Sequence, residues 1–223
     1  MQQFERARSV EAKQAREQAI LEAASRLAGE RGVRAVTLTD IAAGVGMHKS
    51  AMLRYFETRE EIFLRLAASG WTEWSHDVRE RLEQLDGDQA GELETRIVAI
   101  ARALAESLTA RPLFCDLIAH TPLNLERGVS FDAVRTFKLI AIAEAGAVGS
   151  MLSAALPLTG EQAGNVVVTA TSMVGSLWQM AAPGTELRRF YQDTPALAHA
   201  VVDVEPRLVD ILAGLLKGYC AKA

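Results

Sequence analysis

Cysteine is scarce in this chain of 223 residues, which holds only Cys115 and Cys220. The sequence contains no CxxC pair and no Cys/His spacing typical of zinc sites, so it predicts neither a disulfide framework nor a structural metal site. Cys115 lies in the apolar run 113–118, which favours a buried small hydrophobic side chain. A redox-sensing thiol at this position is the alternative interpretation.

Catalytic sequence patterns are also missing. The chain has no HExxH, GxSxG, Walker A or GxGxxG pattern. Its Asp and Glu residues occur mostly at spacings typical of solvated helix faces. The histidines are widely separated along the chain, at His48, His76, His120 and His199. We therefore expect no enzyme activity, no cofactor and no bound metal.

The N-terminus lacks the apolar core of a secretory signal, because charged residues occur throughout its first thirty positions. The best membrane candidate is the uncharged segment 166–182, which approaches the ~20 residues of a spanning helix. Five Thr, Ser or Gln side chains interrupt this segment and no Lys or Arg anchors its ends. We expect a helix buried against other helices, in a cytoplasmic protein without a membrane span.

No run of alternating apolar and polar residues is bounded by turn residues, so β-strands are not predicted. Ala, Leu, Glu and Arg dominate instead, and these residues favour helices. The sequence therefore predicts an all-α fold with long helices over residues 10–31, 58–85, 92–110, 112–120, 130–156, 160–182 and 205–220. Pro195 marks an irregular connection between about 184 and 204.

The most informative segment is 37–63, which predicts two short helices followed by a long one. Thr37 and Asp40 have the spacing of a capping box, and the apolar residues after them recur at i, i+3, i+4 and i+7. Gly46 ends this first short helix, and Met52 and Phe56 share one face of the next. A second capping box, Thr58 with Glu61, opens the long helix. Two short helices joined through glycine are typical of a helix-turn-helix.

A helix-turn-helix places the N-terminal residues of its second helix against base edges in the major groove. Lys49, Ser50 and Ala51 are therefore predicted base contacts, and Arg54 and Tyr55 can reach base or phosphate. Hydroxyl and cationic groups near the helix starts are predicted to contact the DNA backbone, at Thr37, Thr39, His48 and Arg59. Each of these residues can also be an ordinary cap or surface side chain.

Charge is unevenly distributed, although the net charge is −4 overall. Residues 1–60 hold ten Lys or Arg and eight Asp or Glu, a net charge of +2, whereas residues 61–223 carry −6. A basic N-terminal segment weakly supports DNA binding there, since a solvated helix with mixed charges has the same composition.

Segment 37–63 resembles the signature of the tetracycline-repressor (TetR) family, roughly T-L-x-x-I-A-x-x-A-G-V-S-x-G-x-L-Y-x-Y-F-x-S-K-E-x-L. Identical positions are Thr37, Leu38, Ile41, Ala42, Gly46, Tyr55, Phe56 and Glu60, and conservative ones are Ser50, Met52, Thr58, Arg59 and Ile62. Val45 and Met47 replace Ala and Val, His48 stands where Ser usually caps the helix, and Leu53 replaces a phosphate-contacting Tyr. The resemblance therefore lends no phosphate contact to position 53.

The resemblance implies an N-terminal DNA-binding domain over 1–66 and a larger domain over 67–223 that binds a ligand and forms the homodimer. Dimerisation is implied through the last two long helices, 160–182 and 205–220. A ligand pocket inside the larger domain is implied as well. Apolar or polar side chains that could line it are Trp71, Trp74, Phe114, His120, Asn124, Phe137 and Trp178.

Together these features predict a sequence-specific DNA-binding transcription regulator, a ligand-responsive repressor that binds double-stranded DNA as a homodimer on a pseudopalindromic operator. The effector is an unknown small molecule. The alternative function is a helical small-molecule-binding protein of similar fold without DNA-regulatory activity.

Overall fold

The computed structural model describes residues 2–86, 92–181 and 183–221, and within these ranges it contains helices and no strand. The all-α prediction is therefore confirmed. The ten α-helices of the described ranges are α1 Gln2–Arg31, α2 Leu38–Gly44, α3 Lys49–Met52, α4 Arg59–Asp86, α5 Leu93–Thr109, α6 Pro112–His120, α7 Phe131–Ala155, α8 Gly160–Ala181, α9 Glu186–Asp193 and α10 Val204–Cys220. Short 3₁₀ turns cover Val33–Ala35, Leu125–Arg127 and Pro195–Ala200.

The predicted helix boundaries agree with these ranges to within a residue or two, with two exceptions. Helix α1 begins at Gln2 rather than near residue 10. The connection 184–204 was wrongly predicted to be irregular, because α9 and a 3₁₀ turn occupy most of it. The prediction missed the N-cap of α9, which is Thr185. Its hydroxyl accepts a hydrogen bond from the N–H of Arg188 at 3.3 Å.

Both predicted helix starts in segment 37–63 are capped in the structure. Thr37 and Asp40 form the complete capping box at α2. At α4 the Thr58 hydroxyl accepts from the N–H of Glu61 at 3.1 Å, as predicted. The Glu61 carboxylate, however, accepts from the N–H of Glu57 at 2.9 Å, one residue before the expected position. The second capping box is thus shifted by one residue, but the backbone N–H groups of Glu57 and Glu61 both have acceptors.

The N-terminal segment and the larger body share part of their apolar core. Buried side chains of α1 to α4, including Ile41, form one cluster that also contains Leu117 of α6 and Phe137 of α7. Helix α4 runs without a break through the predicted boundary at 66/67. Movement of α6 or α7 is therefore mechanically linked to the N-terminal helices.

The core of the body is built around α10 and an aromatic cluster. Helix α10 packs against α5 and α8 and buries its leucines at 208, 212 and 216 completely. Trp71, Trp74 and Phe114 contact one another with ring centroids 5.5 to 6.3 Å apart. The indole N–H of Trp74 donates to the Ser107 hydroxyl at 3.0 Å, so its one polar atom is satisfied.

Helix α7 is the one helix of the described residues that is long and apolar enough to span a membrane. It is not segment 166–182, which the sequence indicated as the best membrane candidate. A single helix of this kind is weak evidence, because core helices pass the same test. The outer face of α7 exposes Leu139 and Ile142, so part of its apolar surface is not buried within one subunit.

We predict that Gly70→Ala lowers the free energy of unfolding by about 1–3 kcal/mol. A Cβ atom at this position would lie 2.4 Å from Cδ2 of Phe114, so the aromatic cluster would have to shift. Urea unfolding followed by far-UV circular dichroism measures the change. Gly29→Ala is the matched control, because its Cβ would have no neighbour within 4 Å and should raise stability by ~0.5–1 kcal/mol. Equal stability of the Gly70 variant and the wild type would contradict the predicted clash.

Candidate nucleic-acid interface and small-molecule pocket

The turn between α2 and α3 depends on Gly46, whose φ is 66°. Glycine adopts this left-handed conformation without the steric cost that a Cβ atom brings. The N–H of Met47 donates to the carbonyl oxygen of Ala42 at 2.9 Å, which folds the chain back on the end of α2. Helix α3 begins two residues later, and its Met52 is fully buried against the N-terminal core.

The burial of Met52 and Phe56 turns the opposite face of α3 and its C-terminal extension to solvent. Lys49, Ser50 and Arg54 are exposed on this face, as the helical periodicity predicts. Ala51 and Tyr55 are half-buried at its edges. His48 is exposed and is the N-cap residue of α3, but its side chain makes no capping hydrogen bond. We name the exposed set His48, Lys49, Ser50 and Arg54 the α3 surface.

Leu53 is a feature that the residue patterns did not assign to any role. Its side chain is 50% exposed and lies next to Arg54. An apolar side chain on a surface that faces DNA can contact a thymine methyl group or a sugar, but it cannot bind a phosphate oxygen. Leu53 therefore adds one apolar contact beside the two cations of the α3 surface, Lys49 and Arg54.

The start of α2 is already engaged by its own cap. The Thr37 hydroxyl donates to Asp40 Oδ2 at 2.5 Å and accepts from the N–H of Asp40 at 3.2 Å. The Asp40 carboxylate accepts from the Thr37 hydroxyl and also from the Thr37 backbone N–H at 2.8 Å, and these two hydrogen bonds hold the pKa of Asp40 below its usual value. Thr39 is exposed one residue into the helix. Of these two threonines, only Thr39 presents a hydroxyl that the cap does not use.

The guanidinium group of Arg59 points into the protein. Its Nε donates to the carbonyl oxygen of Val36 and its Nη2 to that of Val33. Nη1 pairs with Glu60 at 2.8 Å, and the group lies 4.8 Å from the ring centroid of Phe63. Arg59 therefore ties α4 to the connection between α1 and α2 instead of facing solvent, and we do not include it among the proposed phosphate contacts.

A cavity of about 580 Å³ lies among α4, α6, α7 and α8 in the body. Its walls are largely apolar or hydroxylated, and its two charged side chains, Lys138 and Glu126, pair with each other at 2.6 Å. The main lining side chains are Trp71, Ile118, Leu123, Phe137, Ala141, Thr171, Ser172, Gln179 and Met180. We name this cavity the α6–α8 pocket. Apolar walls with a few polar groups are typical of small-molecule sites.

Of the predicted pocket residues, only Trp71 and Phe137 line the α6–α8 pocket. Trp74 and Phe114 belong to the closed core, because both side chains are almost fully buried by their neighbours. Asn124 is exposed on the loop before α7. Trp178 lines a separate, shallower cavity of about 450 Å³ beside α10.

His120, the remaining predicted pocket residue, is buried beside Asp116, with its Nε2 3.4 Å from Asp116 Oδ1. The same oxygen accepts from Nε2 of Gln179 at 2.7 Å, and Oδ2 accepts from the N–H of Val33 at 2.6 Å. Burial opposes the negative charge of Asp116, but hydrogen bonds from these three groups outweigh it and hold its pKa below the usual value. The sequence offered no signal for this cluster, because its members come from three distant segments.

Groups of three or more His, Cys, Asp or Glu side chains that could hold a metal ion do not occur in residues 2–86, 92–181 and 183–221. The exposed helix after a glycine turn, carried by a helical body with an apolar cavity, defines a two-domain helix-turn-helix protein.

Comparison with protein families agrees with this class. Residues 20–66 match the family described as bacterial regulatory proteins, tetR family. Residues 68–223 match the tetracyclin repressor-like C-terminal domain. The chain belongs to the TetR family of DNA-binding transcriptional regulators.

Solved structures share the fold at low sequence identity. A TetR-family protein from Mesorhizobium loti is 16% identical with a TM-score of 0.55, over 94% of this chain and 97% of that one. The fatty acid degradation regulator FadR from Bacillus halodurans is 15% identical with a TM-score of 0.54, over 90% and 93%. AibR, in complex with isovaleryl coenzyme A and operator DNA, is 16% identical with a TM-score of 0.54, over 90% and 97%. No curated protein matches the sequence.

We predict that the Cys115 thiol of the folded protein does not react with iodoacetamide at pH 8. Burial raises its pKa to about 12, and the thiolate rather than the thiol is the nucleophile. Its Sγ also donates to the carbonyl oxygen of Leu108 at 3.2 Å. Mass spectrometry of the labelled protein should find Cys220, which is half-buried, modified first. Rapid labelling of Cys115 before unfolding would instead favour the redox-sensing alternative.

Proposed function

We propose that this protein is a ligand-responsive repressor that binds a pseudopalindromic operator as a homodimer. The observation that carries the proposal is the α3 surface. Lys49, Ser50 and Arg54 are exposed together because Met52 and Phe56 anchor the other side of the segment in the core. A surface of this shape, with two cations and short polar side chains, fits the major groove of double-stranded DNA.

Within that groove, Lys49, Ser50 and Ala51 lie at the N-terminus of α3, where base edges are read. Arg54 and Tyr55 follow on the same side and reach bases or phosphates. We assign backbone contacts to exposed groups at the helix starts, namely Thr39, His48 and, if its cap opens, Thr37. These contacts would fix the orientation of α3 without reading the sequence.

We propose a homodimer through α8 and α10. Helix α8 exposes Val168 and Met180 together with small serines, a composition that allows close helix approach. The buried leucines of α10 are used inside the fold, so α10 would contribute half-buried side chains that flank them, such as Val209 and Ala213. Two-fold symmetry would set two α3 helices about 34–36 Å apart, one turn of DNA.

The effector that best fits the α6–α8 pocket is a neutral, mostly apolar small molecule with a hydrogen-bonding group. The only charges of the pocket neutralise each other, and its aromatic walls come from Trp71 and Phe137. A charged ligand would have to break the pair of Lys138 with Glu126 or remain unpaired in an apolar site. The structure of AibR contains both isovaleryl coenzyme A and operator DNA. We propose that this chain likewise binds a small molecule and operator DNA, but with a neutral small molecule, in the cytoplasm and without catalysis.

The test of this function is selection of fragments from the source genome by the purified protein. We expect retained fragments to share a pseudopalindromic sequence, and log affinity to fall linearly with log salt as phosphate contacts release counterions. Electrophoretic mobility shifts across a salt series measure both properties. No retained fragment, or an affinity that does not respond to salt, would favour the helical small-molecule-binding alternative without DNA-regulatory activity.

We predict that Lys49→Ala weakens binding of the selected operator by about 1–3 kcal/mol and relaxes its sequence discrimination, because one base contact is lost. Fluorescence anisotropy with matched and mismatched operators measures both effects. Arg102→Ala is the control, because this exposed cation lies on α5, outside α3 and outside the proposed dimer helices. Equal operator binding by the Lys49 variant and the wild type would remove this residue from the base-reading set.

A further inference from the structure

Three segments of the fold meet at one carboxylate. Asp116 of α6 accepts from the backbone N–H of Val33, which belongs to the 3₁₀ turn between α1 and α2, at 2.6 Å. It also accepts from the side-chain amide of Gln179 of α8 at 2.7 Å. Nε2 of His120 lies 3.4 Å from Oδ1 of the same carboxylate, and both side chains are largely buried. The DNA-binding segment is thus hydrogen-bonded directly to the body at this point.

The turn 33–36, which Asp116 contacts through Val33, is also hydrogen-bonded from its other side. Arg59 of α4 donates to the carbonyl oxygens of Val33 and Val36. The turn leads directly into α2, which carries α3 through the Gly46 turn. Hydrogen bonds to charged groups are stronger than neutral ones, so Asp116 and Arg59 together determine the orientation in which α2 leaves the turn.

Gln179 has a second role, because it also forms part of the wall of the α6–α8 pocket. An occupant of the pocket with a hydrogen-bond acceptor would compete with Asp116 for the Gln179 amide. The backbones of α6 and α8 also lie close together one turn away, since a Cβ on Gly175 would approach Ala119 N to 3.1 Å. A shift of α8 on ligand binding would therefore displace α6 and its Asp116.

We propose that Gln179 and Asp116 couple occupation of the α6–α8 pocket to the orientation of the DNA-binding helices. This inference rests on the proposed function and specifies how its effector acts. The occupant accepts a hydrogen bond from the Gln179 amide, which therefore leaves Asp116. The Asp116 carboxylate loses one of the donors that hold it in place. The N–H of Val33 then loses this carboxylate as its acceptor. The turn 33–36 is then held by Arg59 alone, and the affinity for operator falls.

The first experiment observes Val33 without DNA. The protein is labelled with ¹⁵N-valine, and the Val33 amide resonance is assigned with Val33→Ile. The probe is 6-propionyl-2-dimethylaminonaphthalene, a neutral fluorophore whose ketone oxygen can accept a hydrogen bond from Gln179. We expect the probe to fluoresce on binding and to shift the Val33 resonance upfield, as the hydrogen bond to the carboxylate is lost. Gln179→Leu lacks this donor, so its Val33 resonance should already lie upfield, and the probe should bind without moving it further.

The second experiment measures operator affinity with and without the probe, in the wild type and in each variant. We expect the probe to weaken wild-type operator binding by about fivefold or more, within the range of known allosteric couplings. In Gln179→Leu this ratio should fall below about twofold, because the coupling group is gone. Gln192→Leu on α9 is the matched control and should keep the full ratio, since this exposed residue lies outside the pocket.

Asp116→Asn provides an independent variant, because it changes the acceptor of the hydrogen bond between Gln179 and Asp116. Its neutral side chain cannot offer two acceptor oxygens, so the Val33 resonance should already lie upfield without probe. Operator binding should be weaker than in the wild type and insensitive to the probe. Linkage also requires operator DNA to weaken probe binding by the same factor in the wild type, which fluorescence titration measures.

The outcomes separate this inference from the proposed function. If the Val33 resonance responds to the probe but no genomic fragment is retained, the DNA function is rejected. The coupling between the α6–α8 pocket and Val33 then still stands. An equal probe effect on operator binding in the wild type and Gln179→Leu would overturn the inference while the repressor function stands. Absence of probe binding, or a Val33 resonance that ignores bound probe, would overturn it as well.

Discussion

The short connection between α1 and α2 is held by two charged side chains that approach it from opposite sides. Arg59 donates to two of its carbonyl oxygens, and Asp116 accepts from the N–H of Val33. The backbone groups of this turn make few hydrogen bonds with one another, so the hydrogen bonds to Arg59 and Asp116 satisfy them instead. Arg59 and Asp116 therefore hold the turn from which α2 starts.

The same arrangement joins the N-terminal helices to the body. Arg59 is the first residue of α4, which continues into the body, and Asp116 belongs to α6. Leu117 and Phe137 of the body complete the apolar core beneath α1 and α2. Both polar and apolar contacts therefore cross between the N-terminal helices and the body.

The α3 surface, which we propose to contact DNA, departs from the family signature at two positions beside or within it. Leu53 is exposed where the family often has a tyrosine, and His48 occupies the cap position without a capping hydrogen bond. The two exposed cations, Lys49 and Arg54, and the intact Gly46 turn remain. Recognition by this chain would therefore depend more on its cations and less on a phenolic contact to phosphate.

Local patterns in the sequence determined the helices, the Thr37 cap, the Gly46 turn and the outward face of α3, because each depends on residues within one or two turns of helix. Tertiary structure alone decided which aromatic residues line the pocket and which close the core. It also decided that Arg59 binds backbone carbonyls and that Val33, Asp116 and Gln179 meet. Such contacts join residues far apart in the chain, and helical periodicity contains no information about which distant helix lies opposite a given face.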